Sequence, residues 1–195
     1  MNRYNPHIHR RRSIRLKGYD YTQKGLYFIT ICVRHRQCLF GNIVHGTMIH
    51  NDAGRMVENE WLKLPKRFTN IRLHEYIVMP NHFHAILEIV GATLVVAQTD
   101  DAEAMKRQPQ RISPTIITND TYGKSVGDIV GAFQSIVTVE YIRGVKHLGW
   151  QPFHGTLWQR NYWEHIIRNE RAYRNNSQYI VNNPAQWEND RLSNV

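Results

Sequence analysis

The sequence predicts one α+β domain in which helices pack against an antiparallel sheet. The chain has 195 residues, the length of a single domain, and 42% of them are hydrophobic, enough to build a packed core. Strand-like and helix-like segments follow in the order strand, helix, strand, strand, helix, strand, helix. This order is typical of a fold that places helices on an antiparallel sheet.

The first third of the chain predicts two strands and a helix. Residues 26–33 (LYFITICV) are β-branched and aromatic, which favours a central strand, and residues 43–49 favour a second, weaker strand. Asn51 suits the start of a helix. Apolar residues follow it at helical spacing until Pro65, where the helix is expected to end.

The middle of the chain predicts a hairpin and then a long loop. Residues 71–79 and 82–90 are strand-like, and Pro80 between them predicts a turn, so the two strands should pair antiparallel. Residues 91–121 contain two prolines and several small side chains and show no lasting period. Because loops of this length are uncommon in compact domains, this segment is predicted to be an insertion.

The last third predicts two helices with a strand between them. Ser125 suits the cap of the clearest helix, at residues 125–147, whose apolar side chains recur on one face. A strand is expected around residues 156–159. A final helix is expected at residues 169–183, ended by Pro184.

Charge and composition exclude several classes of protein. Lys and Arg number 25 against 16 Asp and Glu, a net charge of +9, so an acidic partner is expected and nucleic acid is favoured. No segment approaches the ~18 apolar residues of a membrane span, and no secretory signal is visible. Cys32 and Cys38 cannot build a disulfide framework, and the sequence has no phosphate-binding loop for a nucleotide cofactor. These features predict a soluble, cytoplasmic protein.

Two groups of basic and aromatic residues are candidates for nucleic-acid binding. The first lies in a polar arm at residues 1–20, which would follow a phosphate backbone or else form a solvated tail. The second could stack on bases and grip phosphates, although tryptophan also anchors protein cores. The candidates are Arg10, Arg11, Arg12, Arg15 and Lys17 in the arm, and Trp158, Arg160 and Trp163 in the second group.

The segment His82-Phe83-His84 has the spacing of a metal site. Residues i and i+2 of a strand point to the same face, so the two imidazoles should emerge together while Phe83 enters the opposite face. Two neutral imidazoles suit a divalent cation, but they need a third ligand. The alternative is a pair of polar residues on the solvated face of a strand.

Tyr179 and Asn183 lie at positions i and i+4 of the last predicted helix and should project together. The Asn183 side chain offers a carbonyl oxygen, a ligand for Mg²⁺ or Mn²⁺, and the phenol of Tyr179 can act as a covalent nucleophile. Tyr179 could instead be a core residue. Tyr162 and His165, three residues apart, form a rival pair of nucleophile and ligand.

Three separated blocks of the chain carry a family resemblance. They are MPNHFHAILEI (79–89), an N-terminal block (10–41) and LWQRNYWEHIIRNERAYRNNSQYIVNNPAQWEND (157–190). The first resembles the HUH motif (histidine, bulky hydrophobe, histidine) of single-tyrosine transposases of the IS200/IS605 type. The details are most similar to their bacterial relatives, the REP-associated tyrosine transposases. The resemblance covers most of the chain outside the predicted insertion.

The resemblance implies a ferredoxin-like HUH endonuclease fold and an active site for single-stranded DNA. By similarity, Tyr179 is the nucleophile and Tyr162 the runner-up. His82, His84 and Asn183 bind Mg²⁺ or Mn²⁺, with His165 as a possible further ligand. Many relatives in the transposase branch carry Gln at the position of Asn183.

The resemblance also implies the reaction and the partners. Tyr179 would attack the scissile phosphate and form a 5′-phosphotyrosine, leaving a free 3′-OH. DNA hairpins of the REP type would guide the cut. Relatives act as monomers or as homodimers, and the protein would be bacterial and associated with the nucleoid.

Three other functions remain open at this point. The chain could be a retired transposase that binds DNA hairpins without cutting them. It could be an unrelated metal-dependent hydrolase that uses water as the nucleophile, with activity independent of Tyr179. It could also be a structural module that binds no metal.

Overall fold

The computed structural model describes Leu16, residues 18–91 and residues 124–193. The predicted arm residues Arg10, Arg11, Arg12, Arg15 and Lys17, and all of the predicted insertion except Gly91, lie outside the described residues. The strands are Gly25–Cys32 (β1), Gly41–Val44 (β2), Thr47–His50 (β3), Ile71–Val78 (β4), His82–Ile89 (β5) and Trp163–Ile167 (β6). The helices are Asp52–Leu62 (α1), Leu64–Arg67 (α2), Val126–His147 (α3) and Glu170–Asn182 (α4), with 3₁₀ helices at Arg34–Arg36 and Pro184–Asn189.

Four strands form a central antiparallel sheet in the order β4-β5-β1-β6. Helix α1 connects β1 to β4, and α3 connects β5 to β6, so each crossover skips one strand. This is the β-α-β-β-α-β arrangement of a ferredoxin-like domain. The α+β class and the central antiparallel sheet are therefore confirmed. The predicted caps Asn51, Ser125 and Asn169 begin α1, α3 and α4.

The two faces of the sheet carry different layers. Helices α1 and α3 contact each other and cover one face, whereas α4 contacts β4 and β5 on the other. Phe83 enters the α1/α3 core, with its ring centroid 4.8 Å from that of Trp61 and 5.2 Å from that of Phe133. Its neighbours His82 and His84 point to the α4 face, as the period-2 pattern predicts.

A β-bulge in β4 places two consecutive polar side chains against α4. His74 and Glu75 lie together opposite Ile86, because the register shifts between Leu73 and Tyr76. The Tyr173 hydroxyl of α4 lies 3.1 Å from His74 Nδ1 and donates to Glu75 Oε2 at 3.0 Å. The Ser177 hydroxyl donates to the same carboxylate oxygen at 3.0 Å. The bulge thus supplies a polar attachment for α4.

The predicted strand at residues 43–49 is wrong, because the segment belongs to the hairpin β2–β3. His45 and Gly46 form its two-residue turn, with φ angles of 49° and 73°. Positive φ at both turn positions is typical of a type I′ hairpin, which usually carries Asn-Gly or Asp-Gly. With His in the first position, the usual sequence signal is missing.

Two other boundaries also differ from prediction. Pro65 does not end the helical segment, because it lies in the first turn of α2, where no backbone donor is needed. The strand expected at 156–159 is only an isolated bridge between Val33 and Trp158, and the strand of the sheet is β6. Pro184 follows α4 as predicted, but the chain continues there into a 3₁₀ helix.

None of the helices in the described part of the chain combines the length and apolar content that a bilayer crossing requires.

Candidate active site

A cleft of about 560 Å³ opens between the α4 face of the sheet and the segment that follows α4. His84 and Thr30 line it from the sheet. Tyr179 lines it from α4, and Asn183 and Asp190 line it from the end of α4 and beyond. The cleft therefore joins residues from β1, β5 and the C-terminal part of the chain, which are far apart in the sequence.

His84 lines this cleft and His82 lies directly beside it, and both side chains are buried. Their ring centroids are 4.5 Å apart. Asn81 donates from Nδ2 to the carbonyls of Arg36 and Leu192, which turns its Oδ1 toward His82 Nδ1 at 2.8 Å. Because that oxygen can only accept, His82 Nδ1 carries the proton and Nε2 keeps a free lone pair.

His84 has an equivalent partner. Its Nδ1 lies 2.8 Å from the hydroxyl of Thr30, on the neighbouring strand β1. Within the described part of the chain, neither His82 Nε2 nor His84 Nε2 has a hydrogen-bond partner, although both atoms are buried. Histidines that bind metals are oriented in this way, with one ring nitrogen held and the other presented to the ion.

Asn183 brings a third buried, unpaired polar atom, its Oδ1, to the same place. Its Nδ2 donates to Asp190 Oδ2 at 3.0 Å, and no residue that the structure describes bonds to its Oδ1. Asp190 also belongs to the site, since ligand atoms of His82, His84 and Asp190 all lie within 4.8 Å of one another. Unpaired buried polar atoms are costly, and a convergent group of them is suited to hold a cation. The residues fit a divalent metal ion.

Burial determines the charge of the two histidines. It lowers the pKa of His82 to about 3, with a smaller opposing contribution from Asn183. Burial and the neighbouring His82 hold the pKa of His84 well below its usual range. Because both pKa values lie far below 7, both imidazoles are neutral at physiological pH. Neutral imidazole is the form that binds metals.

Tyr179 lies beside this group at the mouth of the cleft. Its ring centroid is 5.2 Å from that of His84 and 6.0 Å from that of Phe28, both in edge-to-face geometry. The residue is 40% exposed and lines the cleft, so part of it remains open to a substrate. Partial burial and then the negative charge of Asp190 raise the pKa of Tyr179, so the phenol is protonated in the resting protein.

The rival nucleophile and its partner lie elsewhere. Tyr162 packs against the core between the sheet and helices α1 and α3, on the face opposite His82 and His84. His165 is exposed on β6, where it pairs with Phe28, and it is not part of the group formed by the two buried histidines and Asp190. The geometry thus joins Tyr179 and Asn183 to the histidine pair and leaves Tyr162 outside.

The second group of predicted DNA-binding residues is split by the fold. Trp158 is buried between Phe40 and Phe133, and its indole donates to the carbonyl of Gln134 at 3.2 Å, so its ring offers no open stacking face. Arg160 is exposed, and Trp163 is 64% exposed at the edge of the cleft. Only the latter two are placed to contact a ligand in solution.

Asp190 is the site residue that the sequence analysis missed. It follows Asn183 by seven residues and reaches the site only because the 3₁₀ helix Pro184–Asn189 turns the chain back. Trp187 of the same turn stacks on His82, with ring centroids 5.9 Å apart. No periodic pattern links residues across such a turn. The one available signal was an acidic residue close behind a predicted metal ligand.

The hydrogen bond between Thr30 and His84 makes a testable prediction. Thr30→Val keeps the shape of the side chain but removes the hydroxyl that holds His84 Nδ1, so Mn²⁺ affinity measured by isothermal titration calorimetry should fall about 10- to 100-fold. Thr138→Val is the matched control, because it removes a hydroxyl bond to the Gln134 carbonyl within α3. Equal affinities of the wild type and Thr30→Val would refute the orienting role.

Comparisons with known proteins agree with the fold. No protein-family model matches the chain. An uncharacterized protein of Haemophilus influenzae is 38% identical over 190 residues, which are 97% of this chain and 97% of the relative. The structure of a REP-associated tyrosine transposase bound to a REP hairpin matches with a TM-score of 0.50 and 17% identity, over 90% of this chain and 74% of that chain. A candidate transposase from Deinococcus radiodurans matches with a TM-score of 0.44 and 17% identity, over 87% and 97% of the two chains. The resemblance to tyrosine transposases is confirmed at the level of the fold.

Proposed function

We propose that this chain is a metal-dependent endonuclease and strand transferase of single-stranded DNA. The chain belongs to one protein family with the Haemophilus influenzae relative, and it has the fold of a REP-associated tyrosine transposase. One observation carries the proposal. Three buried ligand atoms without hydrogen-bond partners in the described structure converge beside a half-exposed tyrosine.

The metal would be Mg²⁺ or Mn²⁺, held by Nε2 of His82 and of His84 and by Oδ1 of Asn183, with Asp190 next to them. A mixed set of imidazole, amide and carboxylate ligands suits these cations. When bound there, the ion supplies Lewis-acid polarisation of the scissile phosphate. Asn81 and Thr30 keep the imidazoles aimed at the ion, and burial keeps them neutral.

Tyr179 would carry the covalent step. Its phenol oxygen gives its proton to water as it attacks the phosphorus, a bond forms between that oxygen and the phosphorus, and the bond from phosphorus to the 3′-oxygen breaks. The leaving oxygen takes up a proton from water and becomes a free 3′-OH, while the 5′-phosphate stays on the tyrosine. The reverse attack by an incoming 3′-OH rejoins the strand without an external energy source.

The substrate would be a DNA hairpin of the REP type with a single-stranded flank, since the REP-associated structure is described as bound to a REP hairpin. The basic arm would follow its phosphates.

Replacing Arg10, Arg11 and Arg12 by Gln should weaken hairpin binding. It should also flatten the dependence of log K on log salt concentration by up to about 3, because each phosphate contact contributes about 1. Anisotropy titrations between low and moderate salt measure the slope, and an unchanged slope would remove the arm from the interface.

Covalent trapping tests the proposed reaction directly. Labelled single-stranded DNA that carries hairpins from beside the chain's own gene is incubated with the protein and Mn²⁺ and then run on a denaturing gel. A protein–DNA band that forms with Mn²⁺ and is absent in EDTA is the expected result. A folded protein that binds the hairpin but never forms this band would instead be a catalytically silent DNA-hairpin-binding protein.

A further inference from the structure

Trp163 is an exposed aromatic residue at the rim of the cleft. It is 64% exposed although it lies in a strand of the central sheet. In that sheet Trp163 pairs with Thr30, and Thr30 pairs with His84 on its other side. Directly paired residues share a face, so the indole lies in the same row as the metal-site histidine. Neighbouring strands are about 5 Å apart, which puts the two backbones about 10 Å from each other.

The remaining walls of the cleft combine flat rings with side-chain amides. Phe28 and Tyr179 add aromatic surface on the side of His84, and Asn176, Gln186 and Arg191 add polar groups. The Asn176 amide donates to the Ala172 carbonyl of its own helix at 2.8 Å, which leaves its oxygen available as an acceptor. Rings that stack and amides that both donate and accept are the groups that recognise unpaired bases.

We propose that this cleft binds one unpaired nucleobase of single-stranded DNA, from the nucleotide next to the scissile phosphate, with Trp163 as its stacking platform. The inference rests on the proposed function, since it takes the phosphate to lie at the histidine pair. The backbones of His84 and Trp163 are about 10 Å apart across β1, so a nucleotide with its phosphate at the histidine pair would extend its base toward Trp163. The net charge of +9 favours a nucleic acid as the partner of the chain.

The pocket can be tested independently of cleavage by measuring, in EDTA, how tightly the protein binds DNA probes that each lack one base. The probes are labelled hairpin oligonucleotides, from beside the chain's own gene, in which single flanking positions have lost the base. One position should weaken binding to the wild type by about tenfold, the scale of one base stacked on an aromatic ring. In Trp163→Ala the same probe should bind as well as the intact one, because the platform is already missing.

Two further variants sharpen the result. Trp163→Phe keeps an aromatic ring. Unlike Trp163→Ala, it should therefore show much of the wild-type loss of affinity when the base at that position is missing. Leu148→Ala is the control, because this apolar residue is 68% exposed just beyond the end of α3, on the other side of the sheet. It should leave the loss of affinity for the abasic probe unchanged. A penalty of equal size in the wild type and in Trp163→Ala at every position would overturn the pocket.

The pocket and the proposed function can fail separately. A wild type that forms the covalent band without a base penalty that depends on Trp163 would overturn the pocket alone. A wild type that binds the abasic probe more weakly in EDTA, through Trp163, but forms no covalent band would support the pocket and refute the proposed nuclease activity.

Discussion

Tyr179→Phe is expected to abolish the covalent protein–DNA band while the protein stays folded and still binds its hairpin. The change removes one oxygen, and the ring keeps its edge-to-face contacts with Phe28 and His84. Loss of a covalent nucleophile typically costs at least about 10⁴-fold in rate. Covalent-trapping assays with Mn²⁺, run over a series of times and enzyme concentrations, measure the loss of the protein–DNA band. Fluorescence anisotropy in EDTA measures the hairpin binding that remains.

Tyr162→Phe is the matched control for that experiment. This tyrosine packs on the other face of the sheet, so removal of its hydroxyl should leave the band within about threefold of the wild type. A band lost only in Tyr162→Phe would contradict the assignment of the nucleophile. DNA cleavage that persists in Tyr179→Phe without a covalent band would show that water is the nucleophile, as in a metal-dependent hydrolase.

His82→Ala should remove metal binding and the covalent band together. The substitution deletes one of the converging ligands, and its effect should exceed the 10- to 100-fold loss that is usual for the residues that orient such ligands. Mn²⁺ affinity measured by calorimetry should therefore fall by more than about 100-fold. Hairpin affinity in EDTA should change little, because His82 is fully buried and would reach the DNA only through the metal, which EDTA removes.

His165→Ala is the corresponding control, since it removes an exposed histidine on β6 that the fold leaves outside the metal-site group. Its Mn²⁺ affinity should equal that of the wild type. A large loss in His165→Ala would add this residue to the ligand set. Cleavage that continues in EDTA in the wild type would refute the metal-dependent mechanism altogether.

Local periodicity accounts for the parts of the site that were predicted from the sequence. His82 and His84 share a face because a strand repeats every two residues. Tyr179 and Asn183 come close in space because a helix repeats every 3.6 residues. Neither rule says that these two pairs meet. The two pairs meet because α4 packs against β4 and β5 on one face of the sheet. This packing was expected only from the family resemblance.

The residues that were missed or misplaced depend on features without a repeating pattern. Asp190 is brought back by a 3₁₀ turn, and Trp158 is buried by contacts with two distant rings. The strand β6 was displaced in the prediction because its exposed residues, Trp163 and His165, belong to an edge strand with only one covered face. Such a strand lacks the continuous apolar pattern of a central one.

The way in which α4 is attached has a consequence for the fate of a cut strand. Of its side chains that the structure describes, only Ile180 is buried, and much of the remaining attachment is the polar contact of Tyr173 and Ser177 with the bulge of β4. Helices seated on few apolar contacts separate from their sheet at a low free energy. In a strand transferase, DNA linked to Tyr179 would travel with this helix. The strength of a few hydrogen bonds at a sheet edge would then limit how far a captured DNA end can move before it is rejoined.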